Sequence, residues 1–212
     1  ASDLWWLENQ QPTIFAQPSG DACNSFELWE ADLDIVKAMG LNCYRFGIEW
    51  ARIEPEKGLS AIRVAAEMIP RLIREREVDF CIANGENGAG GFGLTENIAR
   101  KLHSYGVDVI TSGNHIWDRV EFIPYLEQSD RVLRPFNYPQ APGVGSAIVA
   151  ARSGTPVAVL NLQGRTYLPS IDCPFRKADA LLDGLDPEIK VRFVDFHAEV
   201  TSEKMAFGWY LD

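Results

Sequence analysis

Short apolar runs alternate with helical patterns from residue 78 onward, and this alternation constrains the fold more than any other feature. The clearest runs are residues 78–83, 107–110 and 191–196. Alternating strands and helices are typical of an α/β fold, so the chain is predicted to form a mainly parallel sheet flanked by helices. Residues 146–151 and 156–161, on either side of Ser153-Gly154, predict a β-hairpin added to that sheet.

Helix boundaries are marked by capping residues and a proline. Thr95 and Gly106 are predicted to begin and end one helix, because threonine caps N-termini and glycine ends helices. Asp118 is predicted to cap the next helix in the same way. Pro174 suits the first turn of a later helix, where its missing amide proton costs nothing.

The composition is that of a globular protein with an acidic surface. The chain has 212 residues, 46% of them hydrophobic, and a formal net charge of −10. This charge argues against binding to nucleic-acid polymers or anionic membranes. No apolar stretch approaches the roughly 20 residues that span a bilayer, and the start lacks signal-peptide features. The cysteines are widely spaced with no Cys-x-x-Cys pair, so a reduced, cytoplasmic protein is expected.

Polar side chains follow three of the predicted strands. Asn84-Gly85-Glu86-Asn87 comes after the first run, Gly113-Asn114-His115 after the second, and His197 after the third. Ligand sites of α/β sheets lie at the carboxyl ends of strands, so these groups are expected to converge. Carboxylate, amide and imidazole groups suit Mn²⁺, Fe or Zn²⁺. The pattern predicts a metal-centred hydrolase site.

The first part of the chain resembles family 1 glycoside hydrolases of the β-glucosidase type. The likeness rests on residues 2–5, 18–23 and, above all, 44–55 (Tyr-Arg-Phe-Gly-Ile-Glu-Trp-Ala-Arg-Ile-Glu-Pro). The resemblance implies a helix and the second barrel strand, with Arg45 near the family's nucleophile. The family's Asn-Glu-Pro motif is absent, and Thr95-Glu96-Asn97 continues with isoleucine instead of glycine. Because a retaining glycosidase needs two carboxyl groups about 5–5.5 Å apart, residues 1–60 are expected to be a fragment.

The rest of the chain, residues 61–212, resembles the YmdB-type metallophosphodiesterases of the calcineurin-like superfamily. The matching motifs are residues 84–87, 111–118, 134–138, 161–165, 195–199 and 201–204. The resemblance implies a metallophosphoesterase-like sandwich that is truncated at both ends. It further implies that Glu86 bridges two ions, that Asn87, Asn114 and His197 each bind one, and that His115 protonates the leaving oxygen.

The implied substrate is a small phosphodiester such as a cyclic nucleotide. Arg134, Asn137 and Arg165 are candidate substrate-binding residues, since arginine can form two hydrogen bonds to a phosphate. The alternative for the arginines is structural, because loop arginines often hold neighbouring carbonyl groups.

The chain departs from this family at both ends. Glycosidase-like sequence stands where the family has a strand ending in Gly-Asp, and the family's Gly-Thr-His-Thr-His segment would follow Asp212. We therefore expect a fusion with one ion or none and weak or lost activity. Residues 44–49 are hypothesised to fill the vacant strand position, with Glu49 as a possible substitute ligand. Exposed edges and apolar faces predict a homo-oligomer.

Two alternatives remain open. The first is a catalytically inactive fusion that only folds and self-associates. The second is a β-glucosidase-derived fragment that retains some recognition of glycosides.

Overall fold

The computed structural model describes residues 25–40, 43–46 and 61–212, and within them strands and helices alternate as predicted, which confirms the α/β class. In chain order the elements are α1 (Ser25–Ala38), β1 (Cys43–Phe46), α2 (Ala61–Glu75), β2 (Phe80–Asn84), α3 (Glu96–Tyr105), β3 (Val109–Thr111), α4 (Ile123–Gln128), β4 (Ser146–Ala150), β5 (Pro156–Gln163), α5 (Pro174–Asp183), β6 (Val191–His197) and α6 (Thr201–Leu211). Helix α6 was not predicted from the sequence pattern.

The strands form two three-stranded sheets, where the sequence pattern predicted a single sheet. The first sheet has the order β1-β2-β3 and is parallel throughout. The second has the order β4-β5-β6, in which β4 and β5 form the predicted antiparallel hairpin and β6 runs parallel to β5. A strand buried on both faces has the same sequence pattern between two helical layers as between a helix and a second sheet. The hydrophobic pattern therefore could not give the number of sheets, and a sandwich was expected only from the resemblance to metallophosphoesterases.

The core lies in three layers that follow the alternation of side chains along the strands. Phe80 and Ile82 of β2 pack across the interface between the sheets against Val157 and Val159 of β5. The opposite face of β2 packs against α2 and α3, and the opposite face of β5, including Leu160, packs against α5. The resulting order of layers is helices, sheet, sheet, helices. The polar clusters lie at the carboxyl ends of the strands, outside these apolar contacts.

Three helix boundaries match the sequence prediction and one does not. Pro174 is the first residue of α5, as predicted. The Thr95 side chain accepts a hydrogen bond from Ile98 N at 3.4 Å, and Gly106 ends α3 with φ of 109°. Asp118 does not cap a helix. It follows a 3₁₀ turn (Asn114–Trp117), and α4 begins only at Ile123. Its carboxylate lies 2.7 Å from the His115 ring, so a side-chain partner has replaced the expected backbone amide.

The glycosidase-like segment contributes an edge strand to the first sheet. Strand β1 pairs in parallel with β2, from Cys43 opposite Phe80 to Phe46 opposite Ala83. Helix α1 is tied to the end of α2 by two exposed ion pairs, Asp34 with Arg76 and Lys37 with Glu77. The strand thus lies beside β2, as hypothesised. Glu49 lies outside the described residues, and its role as a substitute ligand stays a prediction.

The hairpin turn ties the two sheets together at the end opposite the polar clusters. The Arg152 guanidinium donates to Asp79 O, Gly106 O and Asp108 Oδ2 at 2.8–2.9 Å. Asp79 and Asp108 immediately precede β2 and β3. Arg152 therefore fixes the amino ends of these strands, while their carboxyl ends carry the candidate site.

Several large apolar side chains are exposed in the described part of the chain, among them Met39, Met205 and Trp209. They are compatible with self-association, which stays a prediction. Within the described ranges, no helix combines the length and the apolar character needed to cross a membrane.

Replacing Phe207 tests how α6 is attached. Phe207 is 2% exposed and stacks on Phe196 with ring centroids 4.0 Å apart. We expect Phe207→Ala to lower the free energy of unfolding by about 3–5 kcal/mol in a urea titration, because it opens a cavity between α6 and β6. Trp209→Ala is the control: this side chain is 76% exposed on the same helix, and its loss is expected to change stability by no more than about 0.5 kcal/mol. Equal effects of the two changes would contradict the packing of α6.

Candidate functional site

Three polar side chains converge where β2, β3 and β6 end. His197 is the last residue of β6, and its Nδ1 lies 3.3 Å from Oε2 of Glu86, which follows β2. Its Nε2 lies 3.0 Å from Oδ1 of Asn114, which follows β3. Glu86 is only 4% exposed, so this carboxylate is held inside the protein. The carboxyl ends of strands from both sheets therefore meet at one cluster of carboxylate, amide and imidazole groups.

A glycine makes this close approach possible. A Cβ at Gly113 would lie 2.6 Å from His197 Cε1 and would overlap the Glu86 carboxylate. The backbone also holds the carboxylate directly, because His115 N donates to Glu86 Oε1 at 3.2 Å. The Gly113-Asn114-His115 turn thus supplies both the space and one hydrogen bond for Glu86.

A buried aspartate beneath the cluster fixes the strand ends. Asp195 is 3% exposed and accepts hydrogen bonds from Thr111 Oγ1 and, at 3.3 Å, from Asn84 Nδ2. Asn84 Oδ1 in turn accepts from Glu86 N at 3.2 Å. Sequence reasoning gave Asp195 no role. Its position two residues before His197, on the same face of β6, was the available signal.

His115 is paired with a carboxylate that the sequence analysis assigned elsewhere. His115 Nδ1 lies 2.7 Å from Asp118 Oδ2, and the Phe92 ring meets the imidazole edge-on at 5.1 Å between centroids. A carboxylate on one ring nitrogen fixes the orientation of an imidazole and leaves the other nitrogen available for chemistry. Asp118 is therefore a candidate for orienting His115, a role that its interpretation as a helix cap did not suggest.

The predicted substrate-binding residues occupy different environments. The Arg134 guanidinium donates to the carbonyl groups of Pro135, Phe136, Ala141 and Gly143, which is the structural role given above as the alternative, and burial lowers its pKa. Asn137 is fully buried and bonds to Gln163 O and Asp172 O. Arg165 is exposed, and its backbone N donates to Glu203 Oε1 at 2.9 Å.

The remaining predicted ligand, Asn87, follows Glu86 and is exposed. Over residues 25–40, 43–46 and 61–212, no three His, Cys, Asp or Glu side chains form a group that could hold a metal ion. The cluster contains two residues of these types, Glu86 and His197, and its third member, Asn114, is an amide. The ligand roles of Glu86, Asn87, Asn114 and His197 therefore stay predictions.

Two packed sheets between helices, with a carboxylate, amide and imidazole cluster at the strand ends, define an α/β protein of the layered sandwich class. The profile of the family described as YmdB-like protein matches residues 57–212, and the chain belongs to this family. The profile of glycosyl hydrolase family 1 matches residues 3–66. Both resemblances found in the sequence are thereby confirmed.

Individual relatives agree with the family match. The 2',3'-cyclic-nucleotide 2'-phosphodiesterase of Bacillus subtilis (strain 168) is 47% identical over 147 residues, which are 69% of this chain and 55% of that protein. A crystal structure of a hypothetical protein from Thermus thermophilus superposes with a TM-score of 0.66 at 40% identity, covering 72% of this chain and 59% of the other. A crystal structure of a novel phosphatase from Mycoplasma pneumoniae superposes with a TM-score of 0.65 at 28% identity, covering 72% of this chain and 56% of the other. The chain spans about half the length of the curated relatives it matches: 55% of the Bacillus subtilis protein and 57% of a putative phosphatase/phosphodiesterase from Mycoplasma genitalium.

The pairing of His115 with Asp118 predicts which ring nitrogen carries the proton. We expect ¹⁵N NMR of the neutral imidazole to show hydrogen on Nδ1, donated to Asp118, because a carboxylate can only accept there. Asp118→Ala removes this acceptor and is expected to shift the population towards hydrogen on Nε2. His103 is the internal control, because its Nδ1 lies 2.9 Å from Val107 O and has no contact with Asp118. Its signal is expected to stay the same in Asp118→Ala. A His115 signal that Asp118→Ala leaves unchanged would contradict the pairing.

Proposed function

We propose that the chain carries a divalent-metal phosphodiesterase centre that hydrolyses small phosphodiesters such as cyclic nucleotides. The observation that carries the proposal is the convergence of Glu86, Asn114 and His197 at the strand ends. Membership of the YmdB-like family and the name of the Bacillus subtilis relative support the choice of reaction and substrate class.

The donor set fits a divalent cation. Glu86 and Asn114 both direct oxygen atoms at the imidazole of His197, and a neutral imidazole has only one N–H to donate. Mutually facing lone pairs are stabilised by a cation between them. We propose Mn²⁺, Fe or Zn²⁺ as the occupant, held by these three residues.

Hydrolysis would divide the work between the ion and the protein. A bound ion supplies polarisation of the phosphoryl group and activation of water. Water would attack phosphorus and lose a proton to solvent as the bond to the leaving oxygen breaks. His115 would act in its imidazolium form, with Nδ1–H donated to Asp118, and would deliver the Nε2 proton to the leaving oxygen. Asp118 keeps the imidazole oriented for this transfer. Asp195 and Asn84 hold Glu86 in place through the backbone of residue 86.

Two other predicted residues, Asn87 and Arg165, have smaller proposed roles. Asn87, exposed beside Glu86, would be a ligand of the second ion that the family resemblance implies, and we propose that this chain does not hold that ion. Arg165 is exposed on a loop whose backbone is held by Glu203, so its side chain can turn towards a bound anion. With the glycosidase-like segment replacing the family's first strand, we propose that turnover is weak and that one ion is bound.

Hydrolysis of bis-p-nitrophenyl phosphate in the presence of Mn²⁺ tests this proposal. We expect turnover that a chelator abolishes and added Mn²⁺ restores, and we expect Glu86→Gln to lower it about 10- to 100-fold or more through lost metal affinity. Glu96→Gln is the matched control, because Glu96 is an exposed residue of α3 paired with Arg100.

Turnover that persists with chelator, or that Glu86→Gln leaves unchanged, would contradict a metal centre at this cluster. A protein that binds no Mn²⁺ and hydrolyses nothing would support the inactive-fusion alternative. Cleavage of an aryl β-glucoside that survives Glu86→Gln would instead support residual glycoside chemistry.

A further inference from the structure

Tyr138 links the two histidine-bearing parts of the candidate site, although neither the sequence analysis nor the proposed mechanism gives it a role. Its ring packs on Trp117 with centroids 4.6 Å apart. Trp117 ends the same 3₁₀ turn that begins with Asn114 and His115. One side of the phenol is therefore anchored to the turn that carries the proposed proton donor.

The other side of the phenol is anchored beside His197. Gln163 of β5 lies opposite His197 of β6 in the parallel register, so the two side chains project from the same face of the sheet. Gln163 is fully buried, and its Nε2 donates to the Tyr138 hydroxyl oxygen at 2.9 Å. The hydroxyl is thus held at the end of β5 by the residue that lies opposite His197.

The backbone around Tyr138 is also tied to the end of β5. Asn137 Nδ2 donates to Gln163 O at 2.7 Å, and Gln163 N donates to Asn137 Oδ1 at 2.9 Å. This reciprocal pair is buried, which gives the segment little freedom to move. A hydroxyl held in this way is preorganised, so little conformational entropy is lost when it binds a ligand.

The hydrogen-bond direction leaves the hydroxyl proton for another acceptor. The phenol oxygen accepts from Gln163, and its own O–H makes no hydrogen bond to a described residue. Burial raises the pKa of the Tyr138 hydroxyl, the Gln163 hydrogen bond opposes this, and the negative charge of Glu86 adds to the rise. The phenol therefore stays protonated and remains a donor at neutral pH.

Arg134 does not supply such a donor. Its guanidinium is engaged with backbone carbonyl groups. We propose that the Tyr138 hydroxyl donates a hydrogen bond to a non-bridging phosphoryl oxygen of a ligand bound at Glu86, Asn114 and His197. This inference rests on the proposed function in its choice of ligand, a phosphoryl anion.

Binding of inorganic phosphate to Mn²⁺-loaded protein, measured by calorimetry, tests the inference without requiring turnover. We expect Tyr138→Phe to weaken phosphate binding about tenfold or more, since one hydrogen bond to a charged group is lost while the ring stays on Trp117. Tyr125→Phe is the matched control, because this tyrosine packs against Phe122 and Arg100 in the helical layer. Where bis-p-nitrophenyl phosphate is hydrolysed, Tyr138→Phe should also lower kcat/KM by about the same factor.

Equal phosphate affinity of the wild type and Tyr138→Phe would overturn the inference, and so would a wild type that binds no phosphate. Phosphate binding that depends on Tyr138 in a protein without turnover would support the inference and reject the proposed reaction. If Tyr138→Phe does not fold, Gln163→Met decides. It keeps the phenol but removes the donor that orients it, so weakened phosphate binding supports the inference and unchanged binding overturns it.

Discussion

The contact between the Glu86 carboxylate and the His197 imidazole is the interaction on which the candidate site depends. It joins the end of β2 in one sheet to the end of β6 in the other, at 3.3 Å between Oε2 and Nδ1. A buried carboxylate is costly unless it is paired or hydrogen-bonded. Here the partners are the imidazole and the backbone N of His115, and Gly113 leaves the room for both. Without this contact the two sheets would still pack through their apolar residues, but the polar groups would have no common centre.

The sequence was informative about the location of the site because chain geometry restricts it. Parallel strands place their carboxyl ends at one edge, so Glu86, Asn114 and His197 could be grouped before any coordinates were known. The same reasoning could not supply the supporting residues. Asp118 has the sequence features of a helix cap, and only the fold shows its carboxylate on His115. Tyr138 is brought to the site by the segment between α4 and β4, whose path no periodic pattern describes.

The two-sheet arrangement was likewise hidden in the hydrophobic pattern and was expected only from the family resemblance. Both faces of β5 are buried, one against the first sheet through Val157 and Val159 and the other against α5 through Ala158 and Leu160. Hydrophobic patterning indicates that a strand face is buried, but it does not indicate whether a helix or a second sheet packs against that face. The place of β1 beside β2 was different, because a strand-like run followed by a helical pattern has the order that a parallel sheet requires. Backbone hydrogen bonding does not depend on side-chain identity, so a strand with glycosidase-like sequence can pair at such an edge.

A double-mutant cycle between Glu86 and His197 is the most direct test of the convergence. The free energies of unfolding of wild type, Glu86→Gln, His197→Gln and the double variant would be measured in urea with chelator present, so that no ion contributes. Direct contact predicts that the two effects are non-additive by about 0.5–3 kcal/mol. Additivity within about 0.3–0.5 kcal/mol would mean that the two side chains do not meet, and the proposed site would then have no structural basis.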